Sequence, residues 1–466
     1  MKEITGQGTG RGAITAMSRW IAQLEEGDIP AHVRSVAQDC LIDTVGVIAA
    51  GSAARVAAHA RALAGMAGMG SMGSHLGMCN IIGTALQADA RQAAFANGVA
   101  AHALDFDDNC YAGFVHGSAV IVPAALAAAQ HADASGRELA VALVAGAECE
   151  YALGLASANV LYDQGWWTTG VLGPVGACAA AARLLRLDER QTAAALGLAL
   201  SGAAGIKACF GTDAKAFLAG RAAEAGVTAA FMAQLGASGP TDAVEHRNGF
   251  ARLFNGGHWD AQAVEMLGTR WALHNPGVDI KRIPLCLSSH AAVDAVMALA
   301  HMHAIDAGAI AAITCDVPPI VIANLIHDDP ATPQQAQFSM PFAVAVSLLH
   351  GTVGLEHLSA ATLADPRLRE LMAKVGMTSG AYWKDAGRRA AAPEGAHVSI
   401  ALRDGRVVQA FRDFARGAAR YPLSAEELDA KFLGCLRFAG LASSDDWLAR
   451  LRALASCGSV RGLFRA

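Results

Sequence analysis

The sequence predicts a mainly α-helical protein, with a large all-helical domain over residues 1–274 and 413–466 and a smaller α+β domain inserted over 275–412. Three observations carry this. Ala/Leu/Val/Gly-rich text with helical spacing runs from about residue 12 to 238, strand-like vocabulary sets in after Trp271, and a capped helical tail follows. The chain has 466 residues, 53% hydrophobic, with 49 Gly and a mean hydropathy of +0.32, so it has ample apolar surface for a large core.

The first helices are read at 33–49, 85–103, 122–132, 137–156, 176–185, 189–200 and 219–236. Asp188 followed by Gln191 is a capping box for one of them, and Gly239-Pro240 is expected to close another. Small residues on many faces let such helices approach closely, which predicts a compact bundle. Residues 65–79 (GMAGMGSMGSHLGMC) resemble a phosphate loop only superficially, because no Gly-Lys-Ser/Thr follows, and they read as a flexible loop. Beyond Trp271, residues 309–317 end in a β-like run, and 397–402 and 406–411 flank Asp404-Gly405, a strong hairpin signal. Helical stretches at 290–303 and 342–349 lie between them. The tail from Ser424 to Ala455 is helical again and is expected to pack back on the first domain.

Composition narrows the function. Lys and Arg number 36 against 41 Asp and Glu, a net charge of -5 without a basic run, so nucleic acid is not expected as a partner. Residues 165–182 are broken by Thr168, Thr169, Gly173 and Pro174, and 191–206 is short, so no membrane span is expected. The N-terminal residues lack an apolar segment, which points to a cytoplasmic location. Ten cysteines without a Cys-x-x-Cys pair read as reduced buried thiols, and the 16 histidines form no metal-binding motif, so a metal enzyme is not expected.

Three islands carry candidate chemistry. In the first, Asp105, Asp107 and Asp108 crowd the end of an apolar helix, with His116 shortly after. Crowded carboxylates repel unless a cation or proton is shared, and Asp105 with His116 suggests a carboxylate that orients an imidazole. Asp107 alone reads equally well as an exposed helix end. In the second, Lys215 sits in a strongly apolar stretch, either snorkelling at a helix start or aimed at a substrate carboxylate. In the third, Lys281 is followed by Ser288, Ser289 and His290 at the domain junction; one of the serines would cap the helix that His290 begins.

Taken together, these stretches resemble the MmgE/PrpD family. The matching text runs in order: FANGVAAHALDFDD from Phe95, HGSAVIVPAALA from His116, GWWTTGVLGPVGACAAAARLL from Gly165, AKAFLAGRAAEAGVTAA from Ala214, KRIPLCLSSHAAVDA from Lys281 and QAQFSMPFAV from Gln335. The family contains 2-methylcitrate dehydratases, cis-aconitate decarboxylases and iminodisuccinate epimerases. The resemblance implies a homodimer whose subunits have a helical domain and an α+β lid. It also implies cofactor-independent lyase chemistry beside a carboxylate of a small di- or tricarboxylic acid, with an epimerase or a non-catalytic homologue as alternatives. Its acidic, histidine and lysine motifs fall on Asp105, His116, Lys215 and the lid residue His290, while Lys281 matches the lysine before the family's aromatic-Pro pair.

Departures from the family pattern bear on the substrate. Trp167 stands where the family usually has an acid/base histidine, and an indole cannot carry a proton onto substrate. Asn109 replaces a threonine, one residue is inserted before His116, Gly117 replaces a proline, and Leu218 and Leu287 stand at further histidine positions. Asn109, Trp167, Lys281, Ser288 and Ser289 are therefore expected to contact substrate, in a pocket less polar than that of a methylcitrate dehydratase.

Overall fold

The computed structural model describes residues 12–68, 78–158, 160–441 and 446–464. The chain begins as a helical array: α1 (Ala13–Gln23), α2 (Ala31–Gly51), α3 (Arg55–Gly68), α4 (Ala90–His102), α5 (Ser118–Ala132), α6 (Gly136–Ala156), α7 (Thr168–Leu184), α8 (Glu189–Ser201) and α9 (Asp213–Gln234). Several boundaries differ from those predicted. Asp89 caps α4 and a short ribbon at 87–88 precedes it, so this helix starts later than expected. Helices α5 and α7 start earlier, with Pro123 and Pro174 inside them, because proline biases a reading of the sequence toward a later start. Helix α9 begins at Asp213 under a Thr212 cap, which puts Lys215 in its first turn. It ends before Gly236, which takes a positive φ of 95°, and not at Gly239-Pro240. The capping box of Asp188 and Gln191 forms as read. Of the Gly/Met-rich stretch, residues 65–68 close α3, while 69–77 lie outside the described residues.

The next part carries α10 (His290–Met302), strand β1 (Ile310–Asp316), α11 (Met340–His350) and strands β2 (Val375–Thr378), β3 (Ala396–Leu402) and β4 (Val407–Arg412). The sheet order is β2-β1-β3-β4, with β1 and β2 parallel and the remaining pairs antiparallel. Asp404-Gly405 turns the β3–β4 hairpin, with Ala401 opposite Val407 and Gly405 at φ 92°. Alternate residues Ala396, Val398, Ile400 and Leu402 of β3 are buried, together with residues of α10 and α11. Helices α12 (Ala425–Phe438) and α13 (Asp446–Arg452) complete the chain.

Buried side chains gather into two large cores. One joins α1 to α9 with Leu428, Phe432, Trp447 and Leu451 of the tail, so the tail packs on the first helices. The other lies between Ile283 and Leu402. The protein is mainly α-helical, with one four-stranded sheet in its second core. One unbent helix among the described residues, Gly136–Ala156, is long and apolar enough to cross a membrane by length and composition alone. Glu148 and Glu150 interrupt its apolar text, and 89% of its apolar window is buried in the protein.

Candidate active site

The site is built where α4 ends. After His102 the backbone turns through Asp105, whose φ of 48° is a conformation that Asp tolerates better than most side chains. Four residues on, Asn109 and Asp279 exchange two backbone hydrogen bonds of 2.9 and 2.8 Å, which ties the acidic loop to the segment carrying Lys281. Two lysines then share one carboxylate. Lys215 Nζ lies 2.6 Å from Asp105 Oδ1, and Lys281 Nζ lies 2.9 Å from Oδ2 and 2.7 Å from the Asp105 carbonyl oxygen. All three residues are buried. Burial alone would raise the Asp105 carboxyl, but Lys215 and Lys281 outweigh it and hold it well below the usual range. Lys281 is raised in turn: burial opposes its charge, and Asp105 and Asp107 overcome that.

A second cluster adjoins the first. His102 Nδ1 meets Asp107 Oδ2 at 2.6 Å, and His116 Nδ1 lies 2.7 Å from the Asp108 carbonyl oxygen and 3.4 Å from Asp107 Oδ2. A carbonyl only accepts, so Nδ1 of His116 carries the proton and Nε2 keeps its lone pair. Burial lowers the His116 pKa to about 3 against the pull of Asp107, so the ring is neutral at ordinary pH. The His102 and His116 rings lie 4.7 Å apart, and Trp167 lies 5.3 Å from His102. The sequence shows no metal motif, yet folding brings ligand atoms of His102, Asp107 and His116 within 4.8 Å of one another. The short His102–Asp107 contact is a charge-assisted hydrogen bond, and a bridging cation would have to push those atoms to about 3 Å or more.

Two adjoining spaces share a wall here. An outer cavity of about 190 Å³ is lined by Arg55, Asp213, Gln337 and others, and an inner chamber of about 40 Å³ adjoins it through Asp105, Lys215 and Phe338. Of the residues expected from sequence, Asp105, Asn109, His116, Trp167, Lys215 and Lys281 line the inner chamber. His290 lines neither space; its Nε2 lies 3.2 Å from the Leu285 carbonyl oxygen. Burial and the nearby Lys281 push its pKa well down. Ser289 precedes α10 but caps nothing with its side chain: its hydroxyl turns back to the Cys286 carbonyl at 2.9 Å, because 287–289 form a tight helical turn. Ser288 faces Glu394 instead.

The expected pairing of Asp105 with His116 is replaced. Asp107 stands beside His116, and Asp105 is taken by the lysines. Lys215 therefore neither snorkels to solvent nor stands unpaired. Reading the sequence missed His102 and Glu394. The first carried a signal, a histidine at a helix end beside an acidic run, whereas nothing around Pro393-Glu394-Gly395 marks the second.

Two family models cover most of the chain: the MmgE/PrpD N-terminal domain over residues 15–262 and the MmgE/PrpD C-terminal domain over 283–447. The chain belongs to the MmgE/PrpD family. Lys281 falls between the two matched domains of this MmgE/PrpD protein, and the inner chamber draws on both of them. Among its relatives is the cis-aconitate decarboxylase of Homo sapiens, 28% identical over 73% of this chain and 71% of that protein. The cis-aconitate decarboxylase of Mus musculus is also 28% identical, over 73% and 70%. The cis-aconitate decarboxylase-like protein oryM of Aspergillus oryzae is 26% identical over 86% of both chains.

Proposed function

We propose that this protein is a lyase of the dehydratase or decarboxylase type that needs no metal or organic cofactor and moves a proton beside the carboxylate of a small organic acid. The observation that carries this is the shared chamber: two buried ammonium groups on Asp105, next to an imidazole whose tautomer leaves Nε2 bare. His116 Nε2 takes the proton next to the substrate carboxylate. Lys215 and Lys281 stabilise the negative charge that develops, and Asp105 keeps both ammonium groups oriented before substrate arrives. Asp107 steadies the two imidazoles, and Trp167 and Phe210 form an apolar wall that keeps water out. His290 is a positioning residue that holds the 285–289 turn. The stretch between Ile283 and Leu402 supplies Leu287, Asn324, Phe338 and Glu394 to the chamber, which fits a lid over the helical part. By family likeness the working unit is a homodimer.

An epimerase is the second reading, favoured by Trp167: removing and returning one proton needs no separate acid for a leaving group. The test is incubation in D2O with cis-aconitate, 2-methylcitrate, citrate, malate, iminodisuccinate and 3-hydroxybutyrate, followed by NMR. Release of water or CO2 is expected. Deuterium uptake into an intact skeleton makes the protein an epimerase, and no change with any of these acids overturns both readings. His116→Gln should slow the reaction about 10²- to 10⁴-fold, the usual worth of a general base.

A further inference from the structure

The inner chamber contains an ionisable group that this chemistry leaves unused. Glu394 enters from the loop before β3, and its two oxygens have separate partners. Tyr111 donates its hydroxyl to Oε2 at 2.7 Å, and Ser288 donates to Oε1. The Ser288 oxygen accepts from Asn324 Nδ2 at 3.1 Å, which leaves its own proton for Glu394. Asn324 is fixed in turn by Tyr162, whose hydroxyl donates to Oδ1 at 2.9 Å. Two hydroxyl donors on two oxygens is the arrangement of a carboxylate anion held ready to accept. Burial pushes the Glu394 pKa up, and these two hydroxyls work against that. Among the described residues no Lys, Arg or His forms an ion pair with Glu394, while both chamber lysines are bonded to Asp105.

The chamber thus has two anchors of opposite sign. Lys215 and Lys281 less Asp105 leave one positive charge to receive a carboxylate. Glu394 is a negative group with room for a donor. A second substrate carboxylate beside it would form a desolvated like-charge pair.

We propose that Glu394 is a specificity-determining residue that receives a hydroxyl or ammonium group of the substrate, and that the substrate is a small 3-hydroxy- or 3-amino-carboxylic acid. This rests on the reading above, in which the lysines hold the reacting carboxylate. A hydroxyl or ammonium donor satisfies the free lone pairs of Glu394, and a carboxylate cannot.

The experiment compares binding of 3-hydroxybutyrate, 3-aminobutyrate, succinate and tricarballylate to the full chain by calorimetry, alongside deuterium exchange into each bound acid. Wild type should bind the hydroxy or amino acid roughly tenfold or more tightly than succinate, the scale of a charge-assisted hydrogen bond against a like-charge contact. In Glu394→Gln this preference should vanish or reverse. Tyr111→Phe, which removes one donor and leaves Glu394 in place, serves if the first variant fails to fold, and should shift the same ratio. The proposal is overturned if succinate or tricarballylate binds as well as 3-hydroxybutyrate, if the ratio is the same in the variants, or if none of the four binds. Selective binding without deuterium exchange would instead count against the lyase reading alone. Exchange with an unchanged ratio in the variants would count against the Glu394 assignment alone.

Discussion

Asp105 concentrates the problem of this site in one side chain. A buried carboxylate is costly by itself, and so are two buried ammonium groups, but each here supplies the partner the other needs. Asp105→Asn keeps the shape and tolerates the positive φ, yet it removes the charge that both lysines face. The expected result is a loss of about 3–5 kcal/mol in denaturant unfolding, the scale for breaking a buried ion pair, together with loss of turnover. A variant as stable as wild type would mean that the lysines find other partners. The sequence picked out Asp105 and Lys215 from charge in apolar text, and Lys281 from its place at the domain junction and in the family's motif. It did not show that they belong to one another, because their contacts span 110 and 176 residues.

Among the elements, the crossing of α4 and α9 decides whether those residues can meet. A Cβ built on Gly98 of α4 would lie 2.9 Å from the Gly220 Cα of α9, so the two backbones touch without intervening side chains. That approach brings the first turn of α9, with Lys215, up to the loop that leaves α4. Gly98→Val should wedge the pair apart at a cost of about 1–3 kcal/mol, read as a lower unfolding midpoint, with turnover falling alongside. Unchanged stability would show that the contact is slack. Small-residue text predicted close packing in general, and the helix spacing was legible wherever apolar periodicity was regular. Boundaries failed where a proline lies inside a helix, as at Pro123 and Pro174, because local propensity there is overridden by packing on neighbouring helices.

At the scale of the whole molecule, burial of carboxyls sets the response to pH. Burial is the largest cause in each case: it raises Asp43 to about 6, Asp108, Glu148 and Asp279 to about 7, and Glu150 to about 8. Neither side-chain oxygen of Glu150 has a hydrogen-bond partner. In the unfolded chain these groups titrate near 4, so between about 4 and 8 the folded state binds more protons than the unfolded state. Their stabilisation is complete below the unfolded value and is lost as pH rises through the folded values. His102, His116 and His290, lowered by burial, act in the other direction, but only below about 6.5, where the unfolded chain takes up their protons. The unfolding midpoint should therefore fall between about pH 6.5 and 8, and Glu150→Gln should flatten that fall. A midpoint that rises over this window would contradict the assignment.

The sequence by itself determined the helical character, the β3–β4 hairpin, the Asp188 cap and the chemical promise of Asp105, His116 and Lys215, while the resemblance to a family added Asn109 and the role of Lys281. The readings made from the residues depend on neighbours a few positions away, through periodicity, turn chemistry or a charge stranded in apolar text. Only the tertiary structure decided the pairings. Asp105 goes to two lysines, His116 stands beside Asp107 and not Asp105, His290 is turned away from both cavities, and Glu394 joins the chamber from a stretch without any local mark. Such pairings depend on which distant segments share a buried volume, where desolvation makes each charge seek a partner, and no local pattern encodes that volume.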